Sequence, residues 1–212
     1  MDATVELARK RGLIATDSLL AAVDSTGLES SNASPYFGRR TGRKFHRYPK
    51  LSAVVDVGSH LFLGVVTDRG PKPDDMELHR VSRQAHRRHP FEALLGDVGY
   101  DAEHHHEFLY RQLGVLGIIP PQRGRPRKTP SDRTRGFFRQ FLKDHWPVAQ
   151  YRQRWQVETD FSMLKRLLGS AVRSRKRHAI DREITLRVLT INLMIVLCLL
   201  SCFQQSRFTP TG

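Results

Sequence analysis

The feature that most constrains the fold is a pair of β-rich runs at residues 51–67, LSAVVDVGSHLFLGVVT. Gly58 and Ser59 separate the two runs, and small turn residues between β-branched runs are typical of an antiparallel hairpin. An apolar run that ends on Asp24 precedes the hairpin, and another that ends on Asp97 follows it. The sequence therefore predicts one strand before the hairpin and another after it.

Helical segments alternate with the later strands. They comprise residues 74–88, 101–113 and 137–143, a segment that contains Tyr151, and an apolar segment after Ile184. Residues 115–120, VLGIIP, are predicted to form a short buried strand between the second and third of them. The order strand, hairpin, helix, strand, helix, strand and helices predicts an α/β fold, a mixed β-sheet flanked by α-helices in the ribonuclease H order.

The charge of the chain predicts a polyanionic partner. The 212 residues include 35 Lys and Arg but 21 Asp and Glu, a net charge of +14. Guanidinium groups pair well with phosphate oxygens, so a nucleic acid fits this balance. An anionic membrane surface is the alternative explanation.

Residues 188–203, VLTINLMIVLCLLSCF, are the stretch that bears on whether the chain enters a membrane. A membrane span needs about 20 apolar residues, so this shorter stretch favours a buried core helix, with a membrane-anchored basic protein as the alternative. Cys198 and Cys202 stand one helical turn apart and are predicted to point into the core. Without a cysteine framework or a signal peptide, the sequence favours a cytoplasmic protein.

Residues 151–165, YRQRWQVETDFSMLK, form two stripes if they are helical at about 100° per residue. The polar stripe contains Tyr151, Arg154, Glu158 and Lys165, and the apolar stripe contains Val157, Phe161, Leu164 and Leu168. The apolar stripe is predicted to pack on the sheet. Asp160 points away from Glu158 and is predicted to be solvated. A surface helix with an Arg154–Glu158 ion pair is the alternative interpretation.

Three acids are candidates for one site. The strands that end on Asp24 and Asp97 are neighbours in this topology, and Glu158 on the later helix is predicted to lie over them. Three carboxylates repel one another unless a cation lies between them. Hard oxygen ligands select Mg²⁺ or Mn²⁺, so the trio predicts a metal-dependent catalytic site.

These residues resemble the catalytic domain of bacterial insertion-sequence transposases of the DDE type. The resemblance is to the branch whose signature is Tyr, two residues, Arg, three residues, Glu, six residues, Lys, which residues 151–165 match without a gap. The segments VDSTGL around Asp24 and GDVGYDA around Asp97 resemble those that hold the first two acids of the family. The resemblance covers residues 18–200.

The resemblance implies a mechanism and partners. Two Mg²⁺ ions, with Mn²⁺ as a substitute, would be held by Asp24, Asp97 and Glu158, and water would cleave a phosphodiester at the transposon end. The released 3′-OH would then attack target DNA. Tyr151, Arg154 and Lys165 would contact phosphates of double-stranded DNA. Pairing of two transposon ends implies a homodimer on DNA, at the nucleoid and without a membrane.

A basic loop precedes the catalytic helix. Its cationic residues are Arg123, Arg125, Arg127 and Lys128 within RGRPRK. The motif resembles the AT-hook core, an Arg-Gly-Arg-Pro that lies in a narrow minor groove. A solvated basic loop explains the same residues, so both interpretations stay open.

The domain organisation follows from these boundaries. Residues 1–17 are interpreted as the remnant of an N-terminal region, residues 18–203 as the catalytic domain with a basic insert around 121–136, and residues 204–212 as a flexible tail. Members of the family generally carry a substantial region before the first acid, whereas 23 residues precede Asp24 here. A truncated transposase is therefore expected. A non-catalytic DNA-binding remnant that competes with a full-length transposase is the alternative.

Other polar residues receive structural interpretations. Asp56 is the main competitor for a catalytic strand acid, but the resemblance places it on the second strand, so it is predicted to be structural or to support the catalytic acids. Asp101 precedes a helix and suits its N-cap better than a metal site. Residues 104–106, three consecutive histidines, fan over about 200° of a helix and cannot share one ion. They are predicted to form a solvated helix face.

Overall fold

The computed structural model describes residues 1–15, 18–30, 47–122 and 136–208 of the chain. Its strands are β1 (Ser18–Gly27), β2 (Glu29–Ser30), β3 (Tyr48–Asp56), β4 (Phe62–Gly70), β5 (Phe91–Leu95), β6 (Leu116–Ile118) and β7 (Ala171–Val172). Its α-helices are α1 (Asp2–Lys10), α2 (Leu78–Arg88), α3 (Glu103–Leu113), α4 (Phe137–Asp144), α5 (Val148–Tyr151), α6 (Trp155–Leu168) and α7 (Arg177–Phe208). Short 3₁₀ turns cover Asp75–Glu77, Val98–Tyr100 and Arg152–Arg154.

Five strands form one mixed sheet in the order β4-β3-β1-β5-β6. β3 pairs antiparallel with both β1 and β4, and β5 pairs parallel with β1 and β6. The predicted hairpin is confirmed as β3 and β4. This sheet, flanked by helices, is a ribonuclease H-like α/β fold, as the order of the sequence segments predicted.

One face of the sheet packs against α1, α2 and α3. Val23 and Val54 from the sheet meet Val81 of α2 and Leu109 of α3 in one buried cluster. Gly64 of β4 allows the close contact, since a Cβ there would lie 2.4 Å from the Val81 carbonyl oxygen. Substitution of Gly64 would therefore push α2 off the sheet.

The opposite face packs against α6 and α7. Val157, Phe161 and Leu164 of α6 are buried there against Ala22 and Leu95 of the sheet. The predicted apolar stripe is thus confirmed, because its residues recur at the spacing that places them on one side of a helix. This face is the one on which the candidate site is built.

α7 has one buried face and one exposed apolar face. Ile184, Val188 and Ile191 are buried, and the Asn192 side chain exchanges hydrogen bonds of 2.9 and 3.0 Å with the Phe62 backbone. The exposed apolar residues include Leu193, Met194 and Leu197. The helix is long and apolar enough to cross a membrane, and 28% of its most apolar part is buried. The predicted core helix is therefore confirmed for one face.

Three local predictions were wrong. Cys198 and Cys202 are exposed rather than in the core, because they lie on the outer side of α7. β1 does not end on Asp24 but continues to Gly27, since β3 offers pairing partners along that whole length. The helix predicted through Tyr151 is interrupted, and the 3₁₀ turn Arg152–Arg154 separates α5 from α6.

Candidate active site

Asp24 and Asp97 follow paired residues of two adjacent strands. β1 and β5 run parallel, and Ala22 of β1 lies opposite Leu95 of β5. Each acid follows two residues after its member of that pair. Because side chains alternate along a strand, Asp24 lies on the same face as Ala22, the face covered by α6.

A neighbouring backbone amide holds each of the two carboxylates. The Ser25 N–H donates to Asp24 Oδ1 at 2.7 Å, and the Val98 N–H donates to Asp97 Oδ1 at 2.7 Å. The second bond caps the 3₁₀ turn that follows β5. Both side chains are therefore oriented by a bond to the next residue in the chain.

Glu158 reaches the site from the first turn of α6. Arg154 Nη2 donates to Glu158 Oε1 at 2.7 Å, which is the ion pair that the sequence suggested. Burial lowers the pKa of Arg154, but the Glu158 carboxylate outweighs burial and raises it. The Glu158 side chain is 55% exposed, so it is available to a ligand at the surface.

The pKa shifts of Asp24 and Tyr151 reflect burial and the charged groups around them. Burial raises the pKa of Asp24 to about 6, and the Asp74 and Glu158 carboxylates contribute to this rise. The hydrogen bond from Ser25 and the charge of Arg154 lower the pKa but do not offset burial. Burial also raises the pKa of Tyr151, and the Asp97 and Glu158 carboxylates add to that rise. Asp24, Asp97, Glu158, Arg154 and Tyr151 thus act on one another through charge.

Tyr151 is fixed by a second aromatic residue. Its ring packs on Trp146, with ring centroids 4.8 Å apart, and both residues contact the apolar core under α6.

Lys165 lies seven residues after Glu158 on the same continuous helix, so the two share a side of α6 about 10 Å apart along the axis. Lys165 is half-buried.

A polar network that the sequence did not predict supports the end of β1. Ser25 Oγ donates to Asp74 Oδ1 at 2.7 Å and lies 3.3 Å from the Tyr100 hydroxyl. The buried Lys50 ammonium also contacts Asp74 Oδ1 at 2.6 Å and donates to the carbonyls of Lys72 and Pro73. A single cation inside the apolar run of β3 was the signal available in the sequence.

The prediction that Asp160 is solvated was wrong. Asp160 is fully buried, and its Oδ1 lies 2.9 Å from His60 Nδ1 in the turn between β3 and β4. Burial raises the pKa of Asp160, while the bond to Asp160 raises that of His60. The helical wheel placed Asp160 opposite Glu158 but also within about 40° of Leu164, at the edge of the apolar stripe. The hairpin turn covers that edge.

Asp101 is not the N-cap of α3, which begins after Ala102. Its buried carboxylate instead accepts bonds of 2.8 and 2.6 Å from Arg139 Nε and Nη2, and one from the Gln122 N–H. Burial raises the pKa of Asp101, but His106 and Arg139 outweigh it and lower that pKa. Asp101 thus connects its own segment to Gln122 and to α4 through Arg139, instead of capping the start of α3.

Of the remaining predictions for polar residues, one agrees with the structure, one is partly wrong and one lies outside the described residues. Asp56 is structural as predicted, since its Oδ2 accepts from the Ser59 N–H and hydroxyl at 2.7 and 2.6 Å within the hairpin turn. His104 is exposed, but His105 and His106 are buried, so a solvated helix face was wrong for two of the three. Arg123, Arg125, Arg127 and Lys128 of the basic loop lie outside the described residues.

The carboxylates present fit a divalent metal. Asp24, Asp97 and Glu158 offer oxygen atoms, the donors that Mg²⁺ and Mn²⁺ prefer. The rise in the pKa of Asp24 to about 6 reflects burial together with neighbouring negative charge. A bound cation relieves both effects, because it compensates the ionised form.

A ribonuclease H-like sheet with one acid on a strand, a second after the adjacent strand and a third on a later helix is typical of enzymes that cut and join nucleic acid strands through divalent metal. The family model of the transposase DDE domain matches residues 15–193, and the chain belongs to this family. The family comprises transposases, which act on DNA and normally use a divalent metal. The curated proteins compared with the chain include no match to it.

Proposed function

We propose that the chain is the catalytic domain of an insertion-sequence transposase, which hydrolyses phosphodiester bonds at transposon ends and transfers the released strand to target DNA. The observation that supports this proposal is the register of β1 and β5: Ala22 pairs with Leu95, two residues before Asp24 and Asp97, on the sheet face that packs against the helix bearing Glu158. The family match supports the same assignment.

Asp24, Asp97 and Glu158 are the proposed metal ligands and catalytic residues. They would hold two Mg²⁺ ions, or Mn²⁺ in their place, and the ions when bound would activate the attacking oxygen and stabilise the leaving oxygen. The Ser25 and Val98 amides orient two of these carboxylates through their Oδ1 atoms. Positioning by short local bonds suits a site whose geometry must not change between cleavage and transfer.

Arg154 and Tyr151 are proposed to hold a DNA phosphate beside the acids. Arg154 pairs with Glu158 at 2.7 Å, so it balances the negative charge of the site and presents further N–H donors toward a phosphate. The Tyr151 ring is fixed against Trp146, which directs its hydroxyl toward the same charged cluster.

Lys165 and the basic loop are proposed to extend the DNA path. Lys165 lies on the Glu158 side of α6, two helical turns further along. The residues that flank the loop, Gln122 and Arg139, both bond to Asp101, which follows Asp97 by four positions. The described residues on the two sides of the loop thus meet at Asp101, and we propose that Arg123, Arg125, Arg127 and Lys128 contact phosphates.

The partners proposed are double-stranded DNA and a second copy of the chain. A transposase must hold two transposon ends together, which requires at least a homodimer. A DNA-bound enzyme of net charge +14 is expected at the nucleoid. Light scattering of the protein with and without an end-containing duplex tests the dimer; a mass of one chain per duplex under saturating conditions contradicts it.

Supercoiled plasmid incubated with Mg²⁺, Mn²⁺ or EDTA tests the proposed chemistry, beside Glu158→Ala. Nicking that requires the metal and disappears in the variant is expected. Equal nicking by the variant contradicts the assignment of Glu158. Salt-sensitive DNA binding without cleavage in any metal would favour the DNA-binding remnant instead.

A further inference from the structure

A histidine cluster lies on the opposite face of the sheet from the carboxylates. It consists of His79 on α2 and His104 and His105 on α3, whose ligand atoms lie within 4.8 Å of one another. These two helices pack on the face of the sheet that contains Val23, whereas α6 covers the other face. The proposed transposase chemistry uses none of these imidazoles.

We propose that His79, His104 and His105 bind one borderline divalent d-block ion, with Zn²⁺ as the representative ligand, at the contact between α2 and α3. Neutral imidazoles suit Zn²⁺, Co²⁺ and Ni²⁺, whereas the carboxylates of the other site suit Mg²⁺ and Mn²⁺. Three protein ligands is also the number at zinc sites that keep a fourth position open. The inference is independent of the proposed transposase function.

The distances within this histidine cluster are close to those of a coordinated ion. His105 Nδ1 lies 2.9 Å from His79 Nε2. Neighbouring nitrogens around tetrahedral zinc lie about 3.3 Å apart, given Zn–N bonds of about 2.0–2.1 Å. His104 and His105 have ring centroids 4.0 Å apart, so a small adjustment of the exposed His104 side chain completes the set.

The packing fixes the orientation of His79. Its ring stacks on Phe108, with centroids 3.9 Å apart and planes 17° from parallel. The His105 ring meets His79 edge-on at 4.9 Å. An ion would therefore enter a largely preformed arrangement, which lowers the entropy lost on binding.

Asp75 is the carboxylate near the outer nitrogen of the His105 ring. Its Oδ2 lies 3.6 Å from His105 Nε2, which is buried on the side of the ring away from His79. Ligating histidines commonly donate their other ring N–H to a carboxylate, which fixes the tautomer. A proton on Nε2 facing Asp75 leaves the lone pair of His105 Nδ1 directed at His79.

The charge state of the cluster suits metal binding at neutral pH. Burial, with the nearby His104 and His79 rings, lowers the pKa of His105 to about 4, although Asp75 opposes this. Burial, with His104 and Arg83, also lowers the pKa of His79. Both shifts favour the neutral imidazole, and a bound ion would require the hydrogen between His105 Nδ1 and His79 Nε2 to move to the other nitrogen of the His79 ring.

Titration of the whole chain with Zn²⁺, in competition with a chromophoric chelator, tests the proposal. We expect one equivalent of Zn²⁺ to bind and to raise the midpoint of thermal unfolding. His104→Ala and His105→Ala should each weaken that binding at least tenfold, and Asp75→Asn should weaken it about 10–100-fold. His104 is exposed, so its replacement does not endanger the fold.

His86→Ala is the matched control, since His86 lies on α2 but its ring packs on Phe91 outside the cluster. It should retain Zn²⁺ binding, as should Glu158→Gln, which separates this site from the carboxylates. Long-range ¹H–¹⁵N spectra should show a shift at His105 Nδ1 when Zn²⁺ is added. The proposal is overturned if His104→Ala binds Zn²⁺ as tightly as the unsubstituted chain, or if the imidazole nitrogens do not shift. The second result would leave a metal-free hydrogen bond between His79 and His105.

Discussion

The acids of the candidate site are positioned in two different ways. Asp24 and Asp97 come from adjacent parallel strands, and each carboxylate accepts a bond from the next residue's amide. Glu158 comes from a helix that packs on the sheet through side chains, with Val157 and its stripe in the core and Asp160 bonded to His60 at the edge of that stripe.

The strand acids are positioned by local contacts, whereas the helix acid is positioned by tertiary contacts. The strand acids depend on register and on bonds between adjacent residues, which are hard to disturb without unfolding the sheet. The helix acid depends on contacts between segments far apart in sequence, since His60 and Asp160 are 100 residues apart. Changes far from the chemistry should therefore affect Glu158 more than Asp24 or Asp97.

The largest expected effect is shared by all three acids. Asp24→Asn, Asp97→Asn and Glu158→Gln should each lower Mg²⁺-dependent strand cleavage by about a thousandfold or more, because each removes a proposed ligand of ions worth several kcal/mol to the transition state. Single-turnover cleavage of a labelled duplex measures this. Glu92→Gln, an exposed carboxylate on β5, is the control and should retain the rate. A Glu158→Gln rate within tenfold of the original would break the assignment.

The next effect distinguishes the two modes of positioning. Asp160→Ala should lower the free energy of unfolding by about 1–3 kcal/mol, since it leaves a buried polar partner unsatisfied. It should also slow cleavage about 10–100-fold, because the helix that bears Glu158 loses a tie to the hairpin. Urea unfolding and cleavage assays measure both. Asp160→Asn keeps a hydrogen-bonding group and should lose less, and Asp144→Ala at an exposed helix end should change neither. Full cleavage by Asp160→Ala would show that the tie is dispensable.

The pH dependence of stability isolates one strand acid. The folded protein raises the pKa of Asp24 from 3.8 to about 6, so it binds a proton more tightly than the unfolded chain does. Asp24 should therefore favour folding at low pH, and this contribution should be lost as pH rises from about 4 to about 6. Urea unfolding of the metal-free protein over that range measures it. Asp24→Asn should remove this part of the dependence, and an unchanged profile would contradict the account.

The smallest effect concerns DNA affinity. Lys165→Ala should weaken duplex binding and reduce the slope of log K against log salt by about 0.9, the value for one lost phosphate contact. Fluorescence anisotropy across a salt series measures the slope. Arg111→Ala is the control, because Arg111 is exposed on α3 on the opposite face of the sheet. An equal slope for Lys165→Ala and the unsubstituted chain would remove Lys165 from the DNA path.

Sequence patterns predicted most elements of the fold, although β1 extends past Asp24 to Gly27. The hairpin, the strands before Asp24 and Asp97, and the apolar stripe of α6 follow from periodicity and turn residues, which are local properties. Periodicity also grouped Glu158 with Arg154, and the structure bonds these two residues.

The errors arose where two distant segments meet. A helical wheel gives the direction of Asp160 relative to Glu158, but not that the hairpin turn with His60 covers that direction. It likewise separates His104 from His106 correctly, yet it cannot place His79 of another helix beside His105. Asp101 suited an N-cap by position, but Arg139 offered it a charged partner from far along the chain. Pairing between segments is set by the tertiary fold.

Asp24 and Asp97 of the sheet and Glu158 of α6 are proposed to bind the same Mg²⁺ or Mn²⁺ ions. Titration of Mn²⁺ into the protein, followed by the electron paramagnetic resonance signal of the free ion, tests it directly for the unsubstituted chain, Asp24→Asn and Glu158→Gln. The account predicts that both substitutions weaken the same binding event, each at least tenfold. Binding by Glu158→Gln at the original affinity, with loss in Asp24→Asn, would contradict it and place Glu158 outside the metal site.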